Sequence, residues 1–482
     1  MIEKQFRYVQ IATKIEDIIS RNHLRPGDKI PSVRHISKEL SVSMATVVQA
    51  YSLLDAKGVV VSRPKSGYYV AKPYLGQVRP VTQQSFIPLP ETVEVNTMAT
   101  AMIKNTRKYG VVNFSTLAPS KEMMPTGRLN KALIQATRQQ LDNQYLYPFL
   151  EGSPRLQAQI ALQSMNWTRP ASSDEILVTN GCMEAISLCL DVLTQPGDIV
   201  AVECPTYAGL LQCLESRGLQ VLGIEVDPQQ GLNVDQLEQA IATHSIAACI
   251  FSPACHNPLG CAMPEQHKIR LVRLLAAHRV PLIEDDALGE LHFGATRPLP
   301  AKAYDDEGNV LYCSSFSKTL TPGFRIGWVS GGKRHSGLER HKFASNIATN
   351  SLLQEALSNY LESGHYHSHV KKLRNTLKEQ ITKYQEAIAK YFPFETRVSD
   401  PQGGYSLWLE LPEKIQVHDL QRLALKKGIG FCPGQIFSVS KAYHHYIRIN
   451  CGSLFNNIID GGLKELGVLV HQLALVEDEP VN

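Results

Sequence analysis

The strongest chemical signal in this chain is a lysine followed seven residues later by an arginine. It lies in Ser315-Phe316-Ser317-Lys318-Thr319-Leu320-Thr321-Pro322-Gly323-Phe324-Arg325, just past an apolar run. A Schiff-base lysine must lose its proton to condense with an aldehyde. Burial beside another cation lowers its basicity toward that state. Ser315 and Arg325 can hydrogen-bond phosphate oxygens, the arginine with its planar fork. A lone lysine of this kind is more often a strand-end cap, so its partners decide.

Asp285, in Ile283-Glu284-Asp285-Asp286, ends an apolar run 33 residues before Lys318. A buried carboxylate there can keep a pyridine nitrogen protonated, which makes the ring an electron sink. Val178-Thr179-Asn180-Gly181-Cys182-Met183 reads as a strand running into a helix. Free N–H groups and the helix dipole at such a point favour an anion. Tyr207 follows another predicted strand and can stack on a flat ring. Asn257, in His256-Asn257-Pro258-Leu259-Gly260, can donate to a phenolic oxygen. Arg448, in Tyr446-Ile447-Arg448-Ile449-Asn450, suits a carboxylate. Each piece alone has an ordinary alternative: a helix-capping aspartate, a plain strand-to-helix turn, a core tyrosine, an Asx turn, a solvent-facing arginine.

The elements that must position these residues alternate. Strands are expected at 175–179, 199–203, 220–225, 247–251, 280–284, 310–314 and 326–330. Helices are expected at 182–194, 206–216, 234–242 and 264–277. Alternation of this kind predicts a mostly parallel sheet with helices on both faces and ligands at the carboxyl ends of its strands.

The first 72 residues differ. Tyr8, Ile11, Ile15, Ile18 and Ile19 recur at helical spacing up to the Arg25-Pro26-Gly27-Asp28 stop. Ser32 and Ser43 can cap two further helices, the second burying Val47, Tyr51 and Leu54 before Gly58. Val59-Val60-Val61 and Tyr68-Tyr69-Val70 flank a tight turn, Pro64-Lys65-Ser66-Gly67. Helix, helix, turn, helix, hairpin is the winged helix-turn-helix layout. Its third helix would present Met44, Thr46 and Gln49 to the major groove, with Arg34, Arg63 and Lys65 near phosphates. A three-helix protein-binding module with a basic face fits the same periodicity.

Charge supports the division. Residues 1–72 carry 12 Lys/Arg against 6 Asp/Glu, an excess of +6, while the whole chain is +4, so residues 73–482 sum to −2. A basic head on a near-neutral body suits nucleic acid. The ten cysteines are scattered, none spaced C-x-x-C, which argues against zinc or a disulfide framework. The cysteine spacing predicts no metal, and a charged N-terminus with no ~18-residue apolar run predicts a cytoplasmic protein with no membrane span.

Residues 24–70 resemble the DNA-binding domain of GntR-family regulators. The resemblance rests on Pro31-Ser32-Val33-Arg34, Thr46-Val47-Val48-Gln49-Ala50-Tyr51 and Ser66-Gly67. It implies a double-stranded DNA operator met by Arg34, Ser43, Met44, Thr46, Gln49, Arg63, Lys65, Ser66 and Gly67. Many members carry arginine where this chain has Met44, so a fork for guanine is gone. Residues 110–475 resemble fold-type I enzymes of pyridoxal 5′-phosphate (PLP), in particular the aspartate aminotransferase superfamily. Tyr147-Pro148 with Gly152, Pro196-Gly197-Asp198, Gly403-Gly404 with Trp408, and Pro433-Gly434 join the motifs above.

That second resemblance implies a Schiff base on Lys318, Asp285 on the ring nitrogen, Asn257 at the ring hydroxyl and Tyr207 stacked. It implies phosphate held by Gly181, Cys182, Met183, Ser315 and Arg325, and an effector carboxylate on Arg448. Two departures stand out. The tyrosine usual two or three residues after the aspartate is replaced by Ala287 and Leu288, and a phosphate-loop hydroxyl is replaced by Cys182.

Together the two halves resemble the MocR subfamily of GntR regulators. The expected domains are 1–72 for the winged helix, 73–108 for a linker, 109–476 for the aminotransferase-like body with a smaller C-terminal lobe, and 477–482 for a tail. The resemblance implies a head-to-tail homodimer that senses an amino acid, another amine or PLP itself. Transamination is then secondary. The competing readings are an active aminotransferase with a relic head, and a regulator whose body only dimerises.

Overall fold

The computed structural model describes residues 7–21, 24, 28–56, 59–63, 66–70, 79–93, 112–139, 146–165, 170–439 and 441–475. Among these, the side chains of residues 16, 17, 20, 21, 56, 63 and 441 are left aside. Lys65, the side chain of Arg63, the turn at 25–27, Gly58, residues 73–78 and 94–108 of the expected linker and the tail at 477–482 therefore lie outside the described residues.

The head consists of α1 (Arg7–Arg21), α2 (Val33–Glu39), α3 (Met44–Ala56) and an antiparallel hairpin of β1 (Val60–Arg63) and β2 (Gly67–Val70). Ile11, Ile15, Ile19, Ile36, Val47, Tyr51 and Leu54 form its core, each at most 4% exposed. Burial of such side chains contributes roughly 1.5–3 kcal/mol apiece. Both serine caps form: Ser32 Oγ accepts from His35 N at 3.2 Å, and Ser43 Oγ accepts from Thr46 N at 3.2 Å. Tyr51 ties α3 to the start of α2 by donating to the Pro31 carbonyl at 2.5 Å, and its ring stacks on Tyr68 of the hairpin.

Residues 79–93 correct the expectation of a bare linker. They run along the body and end as an edge strand, β3 (Pro90–Thr92). The Arg79 carbonyl accepts from Val398 N, Thr82 binds both carboxylate oxygens of Glu410, and Gln84 Nε2 donates to the Tyr446 hydroxyl at 2.8 Å. Phe86 N donates to Glu225, and β3 pairs antiparallel with β7. Prolines 80, 88 and 90 break periodicity without preventing docking, because the bonds come from side chains and edge backbone.

The body follows with β4 (Val112–Asn113), α4 (Thr126–Gln139), α5 (Pro154–Gln163), β5 (Ile176–Thr179), α6 (Cys182–Leu193), β6 (Ile199–Cys204) and α7 (Ala208–Glu215). Next come β7 (Gln220–Asp227), β8 (Gly231–Leu232), α8 (Val234–Thr243), β9 (Ile246–Phe251), α9 (Glu265–Ala277) and β10 (Leu282–Asp285). Then come β11 (Val310–Ser315), β12 (Gly327–Ser330), α10 (His335–Ser345), α11 (Ser351–Glu362) and α12 (His365–Tyr391). The central sheet has the order β3-β7-β6-β9-β10-β11-β12-β5. Strands β7, β6, β9, β10 and β11 are mutually parallel, and β12 runs against its neighbours β11 and β5. Burial on both faces explains their nearly continuous apolar runs. Alternate residues face opposite cores: Val200, Val202, Ile250 and Ile283 meet α6 and α7, whereas Ala201, Cys249, Phe251 and Leu282 meet α8 and α9.

The C-terminal lobe contains β13 (Arg397–Val398), β14 (Ser406–Glu410), α13 (Val417–Lys426), β15 (Ile429–Gly430), β16 (Cys432–Pro433), β17 (Tyr446–Asn450) and α14 (Asn457–Leu475). Its antiparallel sheet, β13-β14-β17-β16, packs on α12, α13 and α14 through Leu407, Leu409, Ile447, Ile449, Ile388, Leu420 and Leu463. No helix among the described residues is long and apolar enough to cross a membrane. None of the ten cysteines is in a disulfide, and all but Cys213 are buried.

Candidate cofactor site and DNA-binding face

The carboxyl ends of β5, β6, β9, β10 and β11 open onto one cavity of about 580 Å³. Cys182, Met183, Tyr207, Asn257, Asp285, Ser315, Lys318, Arg325 and Arg448 line it together. Residues up to 266 positions apart in sequence, Cys182 and Arg448, thus meet because five strand ends and the C-terminal lobe converge.

Lys318 sits just past β11 and donates to the Leu117 carbonyl at 2.7 Å. Burial first, then the nearby Arg448 and Arg325 guanidinium groups, lower its pKa to about 8 against the pull of Asp285. A lysine of ordinary pKa is less than ~0.1% neutral at pH 7; at about 8 roughly a tenth is neutral and nucleophilic. Asp285 ends β10, and its Oδ1 accepts from Ala287 N at 3.1 Å and from the Cys182 thiol at 3.3 Å. Burial raises its pKa, while these two donors oppose the rise. Its Oδ2 has no partner among the described residues, which leaves one oxygen for a protonated ring nitrogen.

The Cys182 side chain therefore differs from its expected place in a phosphate loop. Its thiol goes to the carboxylate, and only its N–H remains for an anion. Glu184 N and Ala185 N make the first bonds of α6, to the Gly181 carbonyl, so the N–H groups of Cys182 and Met183 come before the helical ladder begins. Gly181 has φ +91, and a Cβ there would run into the Arg325 guanidinium. Arg325 is itself left-handed at φ 55 and donates to Ser317 Oγ at 3.2 Å and to the Asn180 carbonyl at 2.9 Å.

Arg448, only 4% exposed on β17, donates to Asn257 Oδ1 at 3.2 Å and to the Ser115 carbonyl at 2.5 Å. It also lies 3.1 Å from the Cys432 sulfur, and its guanidinium lies over the Phe437 ring. Its Nε is buried with no partner. Because Asn257 Oδ1 faces Arg448, the amide nitrogen is the group left for a phenolic oxygen. Ala287 and Leu288 line the cavity at the positions where a tyrosine was expected. Tyr207 caps α7 with its ring folded over Gly209, where a Cβ would clash with it.

Sequence reasoning missed Ser317 as the anchor of Arg325, and Leu117, Ser115 and Cys432 as the holders of Lys318 and Arg448. Ser317 was legible within the lysine motif. The two carbonyls carry no side-chain signature.

In the head, Arg34, Ser43, Met44 and Gln49 are exposed. Thr46 is half-buried, and its hydroxyl bonds Ser43 Oγ at 2.7 Å, so it also takes part in the helix cap. Ser66 Oγ pairs with the Tyr69 hydroxyl at 2.5 Å, and Gly67 turns the wing at φ +112.

The unmatched Asp285 oxygen, the unpaired Arg448 Nε, the Arg325 cradle and the lowered Lys318 amine form a donor set that fits PLP. Fold and site define a winged helix joined to a fold-type I PLP body. Residues 7–70 match the bacterial regulatory proteins of the gntR family, and residues 111–457 match aminotransferase class I and II. The HTH-type transcriptional regulators YdcR and YjiR of Escherichia coli are 36% and 34% identical, each aligned over 97% of this chain and 99% of its own length. The body is similar to the crystal structure of LysN, an alpha-aminoadipate aminotransferase of Thermus thermophilus complexed with N-(5′-phosphopyridoxyl)-L-leucine. That match has a TM-score of 0.74 at 25% identity and covers 80% of this chain and 97% of that one. The chain belongs to the GntR transcriptional regulators with an aminotransferase class I and II body, the MocR-type architecture. It is a DNA-binding regulator, and its cofactor is PLP.

Proposed function

We propose that PLP is held as a Schiff base on Lys318 and that an amino acid, another amine or PLP itself sets DNA affinity through this site. The convergence of a buried, weakly basic Lys318 with Asp285, Arg325 and Arg448 in one cavity carries the reading. When bound, the cofactor supplies an aldehyde for amines and a ring that draws electrons. Asp285 Oδ2 keeps a proton at the ring nitrogen, and Asn257 Nδ2 donates to the ring hydroxyl oxygen. Tyr207 covers the ring face. The N–H groups at Gly181–Met183, with Ser315 and Arg325, bind phosphate. Arg448 orients an effector carboxylate and gains a partner for its Nε.

The docked segment 79–93 supports transmission to the head. Val81 is buried in the same cluster as Cys432, Ile436, Phe437 and Tyr446, and Cys432 and Phe437 touch Arg448. An effector on Arg448 therefore acts on the cluster that carries the path to the head, and shifts it only by its differential affinity for the two states. Leu146, Tyr147, Phe149 and Phe343 are each over 60% exposed, which supports burial in a head-to-tail homodimer. The domains run 1–72 and 109–476, and the protein works in the cytoplasm. Lys318 can also serve a transamination half-reaction. The apolar Ala287 and Leu288, which remove a donor at the ring hydroxyl, make that activity secondary. Purified protein should absorb visible light, and Lys318→Ala should abolish the band. Wild type that stays colourless after PLP saturation removes the proposal.

A further inference from the structure

Helix α3, which the helix-turn-helix layout lays in the major groove, carries no lysine or arginine over its whole length, MATVVQAYSLLDA. Val47, Ala50, Tyr51 and Leu54 are its inward face. Ala45, Val48, Gln49 and Ser52 form the exposed stripe, at i, i+3, i+4 and i+7. Met44 is 54% exposed and Val48 43% exposed, so two large apolar side chains stand in solvent at one end of this helix. Nothing among the described residues of the head covers them. Arg34, exposed on α2, brings charge from outside α3. The stripe thus offers the bases no cation: it sets one amide and the Ser52 hydroxyl among methyl and methylene groups, with the Asp55 carboxylate at the far end of the helix.

The chemistry of base edges gives this face a preference. Guanine offers two acceptors to the major groove and is read by a forked cation. Adenine offers one acceptor and one donor, which a glutamine amide matches with two bonds. Thymine adds a methyl group that seeks apolar contact. We infer that α3 reads A·T base pairs, with Gln49 on adenine and Met44 and Val48 against thymine methyl groups. The inference rests on the DNA-binding reading and adds the base identity. Ser43 and Thr46 bond each other at the start of α3 and fix how Met44 and Gln49 are presented.

The test uses the full-length, PLP-saturated protein on random-sequence duplexes. The enriched half-sites should hold A·T pairs at their core. In the selected duplex, replacing each contacted thymine with deoxyuridine removes only the methyl and should weaken wild-type binding about 4-fold per methyl. Gln49→Ala should relax one adenine position by about 5- to 100-fold, and Met44→Arg should move its neighbour toward guanine. Loss of binding by a variant would leave the deoxyuridine result, obtained with wild type, to decide. A G·C core, or deoxyuridine swaps that change nothing, overturns the base assignment and leaves DNA binding intact. Failure to bind any duplex overturns both.

Discussion

At the scale of single residues the site is governed by two buried groups with altered basicity. Lys318 is lowered to about 8 by burial and by two guanidinium neighbours. Its neutral fraction grows as pH rises through that value, well below the ordinary lysine range. The rate at which apo protein takes up PLP, followed by visible absorbance, should therefore rise to a plateau with a midpoint near pH 8. A midpoint above pH 10 would mean that the amine is not lowered. The same shift has a cost in stability. Below about pH 8 folding must keep a charged amine buried, whereas the unfolded chain holds its proton up to about 10.4. Stability of the apo protein gains from pH 8 upward as the folded state sheds that proton. Lys318→Met should stabilise apo protein at pH 7 by on the order of 1–3 kcal/mol in denaturant unfolding, and a loss of stability would contradict this. Cys182 makes a weak bond to Asp285. Cys182→Ala should weaken PLP binding by about 2- to 10-fold, with Cys182→Ser restoring it; equal affinities would make the thiol a spectator.

That Lys318, Asp285 and Arg448 would meet at one cavity was legible from their residue types and their places at or near strand ends. The destination of the Cys182 thiol was not, because it depends on Asp285, 103 positions away.

At the scale of elements, the strands of the central sheet were legible as apolar runs bounded by turn residues. The expected 199–203, 247–251 and 310–314 are observed as Ile199–Cys204, Ile246–Phe251 and Val310–Ser315. Segment 79–93 was not legible, since its partners Glu225, Glu410 and Tyr446 lie over 130 positions away. If that segment carries the signal, Thr82→Ala with Gln84→Ala should shrink the effector-dependent change in DNA affinity while the visible band stays intact. Unchanged effector response, measured by operator titration with and without amine, would free the segment of that role. The caps behave locally: Ser43→Ala removes the acceptor for Thr46 N and should cost about 1 kcal/mol of head stability in thermal unfolding.

At the scale of the whole molecule, the chain joins a basic head to a near-neutral PLP body through a segment docked beside Arg448. Sequence showed both halves and the division of charge between them. It did not show that residues 79–93 of the connection are part of the body's own hydrogen-bond network, which only the tertiary fold supplies. The proposed function makes chemistry at Lys318 and grip on DNA two properties of one structure. Borohydride reduction of the PLP-saturated protein, followed by peptide mass mapping, tests the covalent step on which this rests. The account predicts a reduced pyridoxyl phosphate on the peptide that carries Lys318 and on no other. An unmodified Lys318, or a tag on a different lysine, would contradict it.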